Sequence, residues 1–265
     1  MTCARSTTAA TSAGRSCAGS CTGCAMPATA RPRPGRHWNM PKPSAELPAL
    51  LLGTLLLAGP LAGFAQQNCG SLENAFGPYN YNDPLIRQSG YGGSKGTIID
   101  LVEGAHLRTF ESLSRPDFET MGSIDYTLRA IPNNPRALFL LIRLHRKLNG
   151  NLPKPPRVVG DSSAWPGTPE CYFERAMRFV PRDPIVRQLL GVYLHWNGKY
   201  QQALDAYGQA TDLGLKSAEL YYNIGLAHFE LKQYAEAKDN AHKAYDMGYP
   251  SPGLRNKLGS VGQWP

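Results

Sequence analysis

Histidine is the residue type in this sequence that could carry acid–base or metal chemistry, because imidazole titrates near neutral pH and binds metals. Five histidines lie beyond residue 65: His106, His145, His195, His228 and His242. None of them belongs to a His-Glu-x-x-His motif, and the sequence has no phosphate-binding loop. We therefore expect no catalytic residue, no metal site and no cofactor. A metal-binding or enzymatic protein that uses His195 and His228 is kept as the alternative.

An uncharged apolar run precedes the main body of the chain. This run, residues 47–65, follows Lys42 and ends in Gly63-Phe64-Ala65, which has small residues at the positions that a signal peptidase reads. The pattern predicts a signal peptide over residues 40–65, cleaved before Gln66. An uncleaved membrane anchor is the alternative, because the run approaches the length of a helix that spans a bilayer. Cleavage would place the mature protein in the periplasm or outside the cell.

The residues before Met40 do not resemble an export signal. An export signal begins within a few residues of its initiator, and residues 1–39 are rich in Ser, Thr, Ala and Arg without a periodic apolar pattern. We therefore expect translation to start at Met40. Residues 1–39 are then a start-site artefact or a disordered segment.

The cysteines suggest two kinds of chemistry. Cys21-Thr-Gly-Cys24 has the spacing of a metal knuckle or a redox pair, but no second such pair follows, so a zinc site is disfavoured. Cys69 and Cys171 are the two cysteines beyond the apolar run. In an exported chain they could form a disulfide, whose long loop would stabilise the fold by roughly 4 to 5 kcal/mol. The alternative is that Cys171 is a small buried residue and Cys69 is free.

The positive charge is concentrated in the N-terminal region. The formal net charge of the chain is +8. The first 65 residues hold six of the 28 basic residues and one of the 20 acidic residues, so residues 66–265 carry a net charge of only +3. A nucleic-acid partner is therefore not expected.

A repeat of 34 residues, the interval from Gly191 to Gly225, is the strongest pattern in the sequence. The same interval relates Tyr200 to Tyr234, Ala203 to Ala237 and Ala210 to Ala244. A glycine within a helix costs about 1 kcal/mol relative to alanine, so Gly191 and Gly225 need a structural reason. Close approach of a second helix is such a reason, with Ala203 and Ala237 as its small partners.

These residues resemble the tetratricopeptide repeat (TPR), a unit of two antiparallel helices with this period. The resemblance implies an all-α, TPR-like α-solenoid of about four antiparallel helix pairs. The implied organisation is an N-terminal arm over 66–96, degenerate TPR-like helix pairs over 97–182 with an inserted loop over 149–168, two TPR units over 183–250 and a C-terminal tail over 251–265.

The degenerate pairs are indicated by two segments, each with an alanine five residues before a proline, as at the end of a TPR unit. These segments end Ala130-Ile-Pro-Asn-Asn-Pro135 and Ala176-Met-Arg-Phe-Val-Pro181. Upstream, the spacing of apolar residues predicts an amphipathic helix from Thr97 to Leu113 that could pair with a helix over 121–130.

In TPR proteins the first helices of the units line a concave face. By resemblance, the protein-binding residues here are Gln188, Val192, His195, Trp196, Tyr222, Asn223, Leu226, Phe229 and Glu230. This mixture of aromatic and apolar residues suits binding of a peptide or a partner helix through aromatic anchors. Some TPR proteins clamp a C-terminal carboxylate, but Gln188 and Val192 replace the Lys and Asn that this would need. The alternative is that the aromatic residues pack against a neighbouring helix or the inserted loop.

The predicted function is a non-catalytic protein–protein interaction scaffold of the cell envelope, periplasmic or secreted, with a protein or peptide as its partner. Contact with a membrane is expected only through the signal segment, if that segment is uncleaved. Self-association into a homo-oligomer is a further alternative.

Overall fold

The computed structural model describes residues 69–114, 116–154 and 167–265. Within these residues the chain is all-helical and contains no β-strand, as predicted. The predicted signal peptide, residues 1–39 with the Cys21-Cys24 pair, and most of the inserted loop lie outside the described residues. Among the helices of the described part, none has the length and hydrophobicity to cross a membrane.

Eight α-helices form the described part of the array. They are α1 (Phe118–Ala130), α2 (Pro135–Lys147), α3 (Pro169–Phe179), α4 (Pro184–Trp196), α5 (Tyr200–Asp212), α6 (Ala218–Glu230), α7 (Tyr234–Asp246) and α8 (Gly253–Ser260). Four of these helices begin at a polar side chain that accepts hydrogen bonds from free backbone N–H groups: Asp117, Asn134, Asp183 and Ser217. Proline is the first residue of α2, α3 and α4, where its missing N–H costs no hydrogen bond.

The helix pairs α4/α5 and α6/α7 are the most closely packed part of the fold. In the first pair, Gly191 of α4 lies directly against the ring of Tyr207 on α5, and an added Cβ would overlap that ring. In the second pair, a Cβ on Gly225 would overlap the side chain of Leu254 on α8 and would lie 3.1 Å from the carbonyl oxygen of Ala237 on α7. The repeated glycines therefore permit close helix packing. Tyr207 occupies the space beside Gly191, although Ala203, the partner predicted from sequence, is also fully buried.

The apolar faces of successive pairs merge into one core. A single cluster of buried side chains extends from Leu107 through α1 to α5 and reaches Ala227 on α6. A second cluster joins α6 and α7 to α8 around Leu254 and Leu258, which are both fully buried. Because no pair can bury its apolar face alone, each pair depends on its neighbour, and α8 covers the end of the array.

The helix predicted from Thr97 to Leu113 is shorter in the structure. The helical segment ends near His106 and contains a π-helical turn over Asp100–Gly104, and the chain then forms turns up to residue 112. Leu113 is buried and has a φ of 51°, in the left-handed region. Leu107 and Leu113 are buried although the chain between them forms turns and not a helix. The spacing of apolar residues alone therefore overestimated the length of the helix.

The N-terminal arm is fastened to α3. Cys69 forms a disulfide with Cys171 of α3. The guanidinium of Arg178 donates a hydrogen bond to the carbonyl oxygen of Gly70 at 2.7 Å, and that of Arg175 donates to Cys69 at 3.3 Å. Arg175 is 1% exposed, so its side chain is enclosed between the arm and the helix.

Further along, the arm is joined to the turn between α1 and α2. The side-chain oxygen of Asn133 accepts a hydrogen bond from the backbone N–H of Tyr81 at 2.9 Å, and its amide donates to Asp183 at 2.7 Å. The amide of Asn82 donates to the same carboxylate at 2.9 Å. Asp183 also accepts hydrogen bonds from the first backbone N–H groups of α4. The network therefore fixes the position of the first turn of α4 relative to the arm.

We expect Gly191→Ala to destabilise the protein, whereas Gly208→Ala should not. A methyl group at residue 191 would overlap Tyr207, which is 1% exposed and has no room to move, so a loss of about 1 to 3 kcal/mol is expected. Gly208 of α5 has no atom within 4 Å of an added Cβ, so alanine there should raise the free energy of unfolding by up to about 1 kcal/mol. Urea unfolding of the two variants measures both values. Equal or greater stability of Gly191→Ala would contradict the packing described above.

Candidate functional site

The structure places only some of the predicted binding residues at an accessible surface. Gln188 and Val192 on α4 and Tyr222 on α6 are buried, with 5%, 6% and 8% of their surface exposed. Val192 and Tyr222 belong to the core and cannot contact a partner without opening it, which corrects the sequence-based prediction for these two, whereas Gln188 borders a groove together with Phe139 and Ile185. Asn223 and Leu226 on α6 remain partly exposed.

The remaining predicted residues of α6 are packed against the C-terminal segment of the chain itself. Tyr222 stacks on Tyr249, with ring centroids 4.1 Å apart. The ammonium group of Lys257 on α8 forms an ion pair with Glu230 at 2.9 Å and lies 5.0 Å from the ring centroid of Phe229. At α6 the structure therefore favours the alternative in which the aromatic residues pack against a neighbouring helix.

The two histidines of the enzymatic alternative have other contacts. Nδ1 of His228 hydrogen-bonds with the side-chain oxygen of Gln233 at 2.7 Å. The ring of His195 packs edge-on against Tyr200, and burial lowers the pKa of His195, so this imidazole is uncharged at neutral pH. Within the described ranges, no group of three or more His, Cys, Asp or Glu side chains is arranged to hold a metal ion.

One motif was overlooked in the sequence. Gly92-Gly93-Ser94-Lys95-Gly96 has the glycine–serine–glycine spacing of a nucleophile elbow, which requires a sharp turn between a strand and a helix. Here the motif begins within a 3₁₀ turn over Tyr91–Gly93, and the Ser94 hydroxyl donates a hydrogen bond to the carbonyl oxygen of Gly96 at 2.5 Å. This geometry is that of a loop turn, and it does not present an activated serine.

An exposed pair of aromatic rings lies between α2 and α4. Phe139 and Trp196 are 39% and 37% exposed, and their ring centroids are 6.1 Å apart. The guanidinium carbon of Arg146 lies 4.6 Å from the centroid of the Trp196 ring. Of the nine predicted residues, Trp196 is therefore part of an accessible aromatic surface, and its neighbours come from α2.

The contribution of α2 was missed, although the sequence contains a signal for it. Asn134-Pro135 begins α2 in the same way that Asp183-Pro184 begins α4. Aligning the two prolines places four residues of α2 at the repeat positions of Gln188, Val192, His195 and Trp196. They are Phe139, Arg143, Arg146 and Lys147. The long inserted loop after α2 changes the repeat interval and conceals this correspondence.

The aromatic pair joins two grooves. The basic groove has a volume of about 460 Å³ and is lined by Ser112, Leu113, Arg143, Arg146, Lys147 and Trp196. The apolar groove has a volume of about 430 Å³, and its apolar lining includes Phe139, Ile185, Leu189 and Leu215, with the polar side chains of Gln188, Ser217 and Glu219 also on its wall. Because Phe139 lines one groove and Trp196 the other, the adjacent rings connect them into one surface.

The cations of the basic groove are held by uncharged groups. Arg143 donates a hydrogen bond to the carbonyl oxygen of Glu111 at 3.0 Å, and Lys147 donates to that of Leu113 at 2.6 Å. Arg146 contacts the Trp196 ring. In the part of the chain that the structure describes, none of these three cations forms an ion pair with a carboxylate. Among the described residues, the positive charge of this groove is therefore not paired with a carboxylate.

Comparison with known proteins supports the repeat assignment. A family model described as a TPR repeat matches residues 194–232, from the end of α4 through α5 and α6. Thirty-two chains of solved structures match this chain. One of them, from a structure titled as a functional characterization of Pseudomonas aeruginosa PilF, has 16% sequence identity and a TM-score of 0.43, with 62% of this chain and 68% of that chain covered. No curated protein matches the sequence. This chain contains tetratricopeptide repeats arranged as an α-solenoid, and the predicted fold class is confirmed.

Proposed function

We propose that this protein is a non-catalytic scaffold of the cell envelope that binds a partner protein on the surface formed by α2 and α4. The observation that carries the proposal is the exposed Phe139 and Trp196 pair between two grooves. TPR repeats in general serve protein–protein interaction, which is consistent with this use of the surface.

The physical chemistry of the pair supports a role in binding. Tryptophan and arginine are the residue types most enriched among side chains that dominate interface energies, and aromatic rings lose little conformational entropy when they bind. Trp196 and Arg146 are already in contact in the free protein. Their side chains therefore lose less conformational entropy when a partner binds. A peptide segment or a helix laid across the rings would bury them in the way that other grooves bind peptides.

Two features support an exported protein. The apolar segment 47–65 has the properties of a signal peptide. The disulfide between Cys69 and Cys171 is of a type that persists in oxidising compartments such as the periplasm and is rare in the cytosol. The proposed location is therefore the periplasm or the cell exterior.

Replacing both rings, Phe139→Ala with Trp196→Ala, should abolish capture of the partner from an extract of the native cell envelope. Loss of one such anchor commonly weakens an interface by 2 kcal/mol or more, about thirtyfold in affinity. The matched control is Phe118→Ala, because Phe118 is a 56% exposed aromatic residue that lines neither groove. Captured proteins are compared by quantitative mass spectrometry after circular dichroism has shown that both variants are folded.

Capture that is unchanged in the double variant would exclude the α2 and α4 surface as the binding site. Loss of capture in the Phe118→Ala control would equally contradict the assignment. If the wild-type chain retains only further copies of itself, the surface is a homo-oligomer interface, and the proposal of a scaffold for other proteins fails.

We expect the protein isolated from its native cell to begin at Gln66 and to contain no free thiol. Signal peptidase removes the segment before Gln66, and the two remaining cysteines are oxidised. An intact mass measured before and after reduction and alkylation tests both statements. A chain that retains Cys17 would contradict the predicted export. Two alkylated cysteines in the unreduced protein would contradict the disulfide.

A further inference from the structure

We propose that the partner segment is acidic, with side-chain carboxylates bound in the basic groove and an apolar side chain bound in the apolar groove. This inference rests on the proposed function and specifies the chemical class of the partner. The kind of segment is an internal stretch of a protein in which Asp or Glu residues lie beside an apolar residue.

The basic groove is prepared for carboxylates. Arg143 and Lys147 are each fixed by one hydrogen bond to a backbone carbonyl oxygen, which leaves the other donors of the guanidinium and ammonium groups free to bind. A guanidinium presents a planar fork of donors that matches a carboxylate. Three cations in one groove repel each other, and a bound carboxylate would relieve that repulsion. Charge complementarity therefore favours an acidic occupant.

Two acidic side chains on the segments beside the basic groove already pair with other cations, whereas Glu219 lies on the wall of the apolar groove. The carboxylate of Glu111 pairs with Arg136, and that of Glu230 pairs with Lys257 on α8. His195 is uncharged at neutral pH because burial lowers its pKa. The intramolecular pairs therefore leave the positive charge of the groove for a ligand.

The apolar groove specifies the second feature of the partner. Phe139 and Ile185 are 39% and 37% exposed on its wall, and Leu189 lies deeper, with 8% exposed. An apolar side chain placed between them would remove this surface from water, at about 25 cal/mol for each Å² buried. Because the Phe139 and Trp196 rings are adjacent, one continuous segment crossing them reaches both grooves.

The carboxylates are assigned to side chains and not to a free C-terminus. The clamp that some TPR proteins use for a terminal carboxylate needs Lys and Asn, and these are absent at both sets of positions. In α4 the positions are occupied by Gln188 and Val192, and in α2 by Phe139 and Arg143. Grooves on both sides of the aromatic pair also suit a segment that continues in both directions.

A nucleic acid would use the cations of the basic groove but not the apolar groove.

Selection of a phage-displayed random peptide library on the full mature protein tests the inference. We expect enriched peptides to combine Asp or Glu with an apolar residue, and to bind equally well when synthesised with an amidated C-terminus. Arg146→Glu should weaken their binding at least about tenfold, as measured by fluorescence anisotropy. Arg146 is the preferred site because it is exposed and its guanidinium contacts the Trp196 ring. We therefore expect the variant to remain folded. Arg182→Glu, the same charge change at an exposed turn, is the control and should leave binding unchanged.

The inference is overturned if no peptide is enriched, if enriched peptides have no excess of acidic residues, or if Arg146→Glu binds them as tightly as the wild type does. Tighter binding of a single-stranded oligonucleotide than of any selected peptide would also overturn it. Apolar peptides that lose binding on Phe139→Ala with Trp196→Ala, but not on Arg146→Glu, would reject the acidic partner and leave the proposed function standing. Peptides unaffected by either variant would reject both.

Discussion

Close packing of paired helices at two glycines is the interaction on which the rest of the structure depends. Gly191 allows the ring of Tyr207 to lie directly against α4, and Gly225 allows α6 to approach both the backbone of α7 at Ala237 and the side chain of Leu254 on α8. Because packed interiors respond to the addition of a single methyl group, these contacts fix the separation of the two helices in each pair. These pairs stack on α1, α2 and α3 through a shared cluster of buried side chains, within which α2 and α4 lie side by side.

The position of the open surface follows from what covers the ends of the array. At the C-terminal end, α8 packs on α6 and α7, and its Lys257 engages the residues of α6 that a longer array would expose. At the other end, the arm and the segment after it pack on the end of α1 around Ala130 and Ile131, and the arm is also joined to α3 by the disulfide to Cys171 and to α4 through the network at Asp183. The exposed aromatic rings are therefore found between these two covered regions.

The fold could be predicted from the sequence because its determinants are local and repeated. The glycine and alanine positions of α4 to α7 recur at one interval, and helix starts such as Asp183-Pro184 are recognisable singly. The candidate site could not be predicted to the same extent, because it depends on relations between distant segments. The insertion after α2 displaced Phe139 from the register of the later units, and burial of Tyr222 depends on where the C-terminal segment folds back. The early end of the helix that includes Asp100–Gly104 likewise reflects tertiary packing that periodicity does not encode.

We propose that a partner protein contacts the surface between α2 and α4. The most direct measurement is photo-crosslinking in living cells, with benzoylphenylalanine incorporated in place of Phe139 or, in a separate chain, in place of Leu226 on α6. On this proposal a crosslinked partner is expected from residue 139 and none from residue 226, because the α6 position packs with the C-terminal segment. A partner crosslinked from residue 226 but not from residue 139 would contradict it.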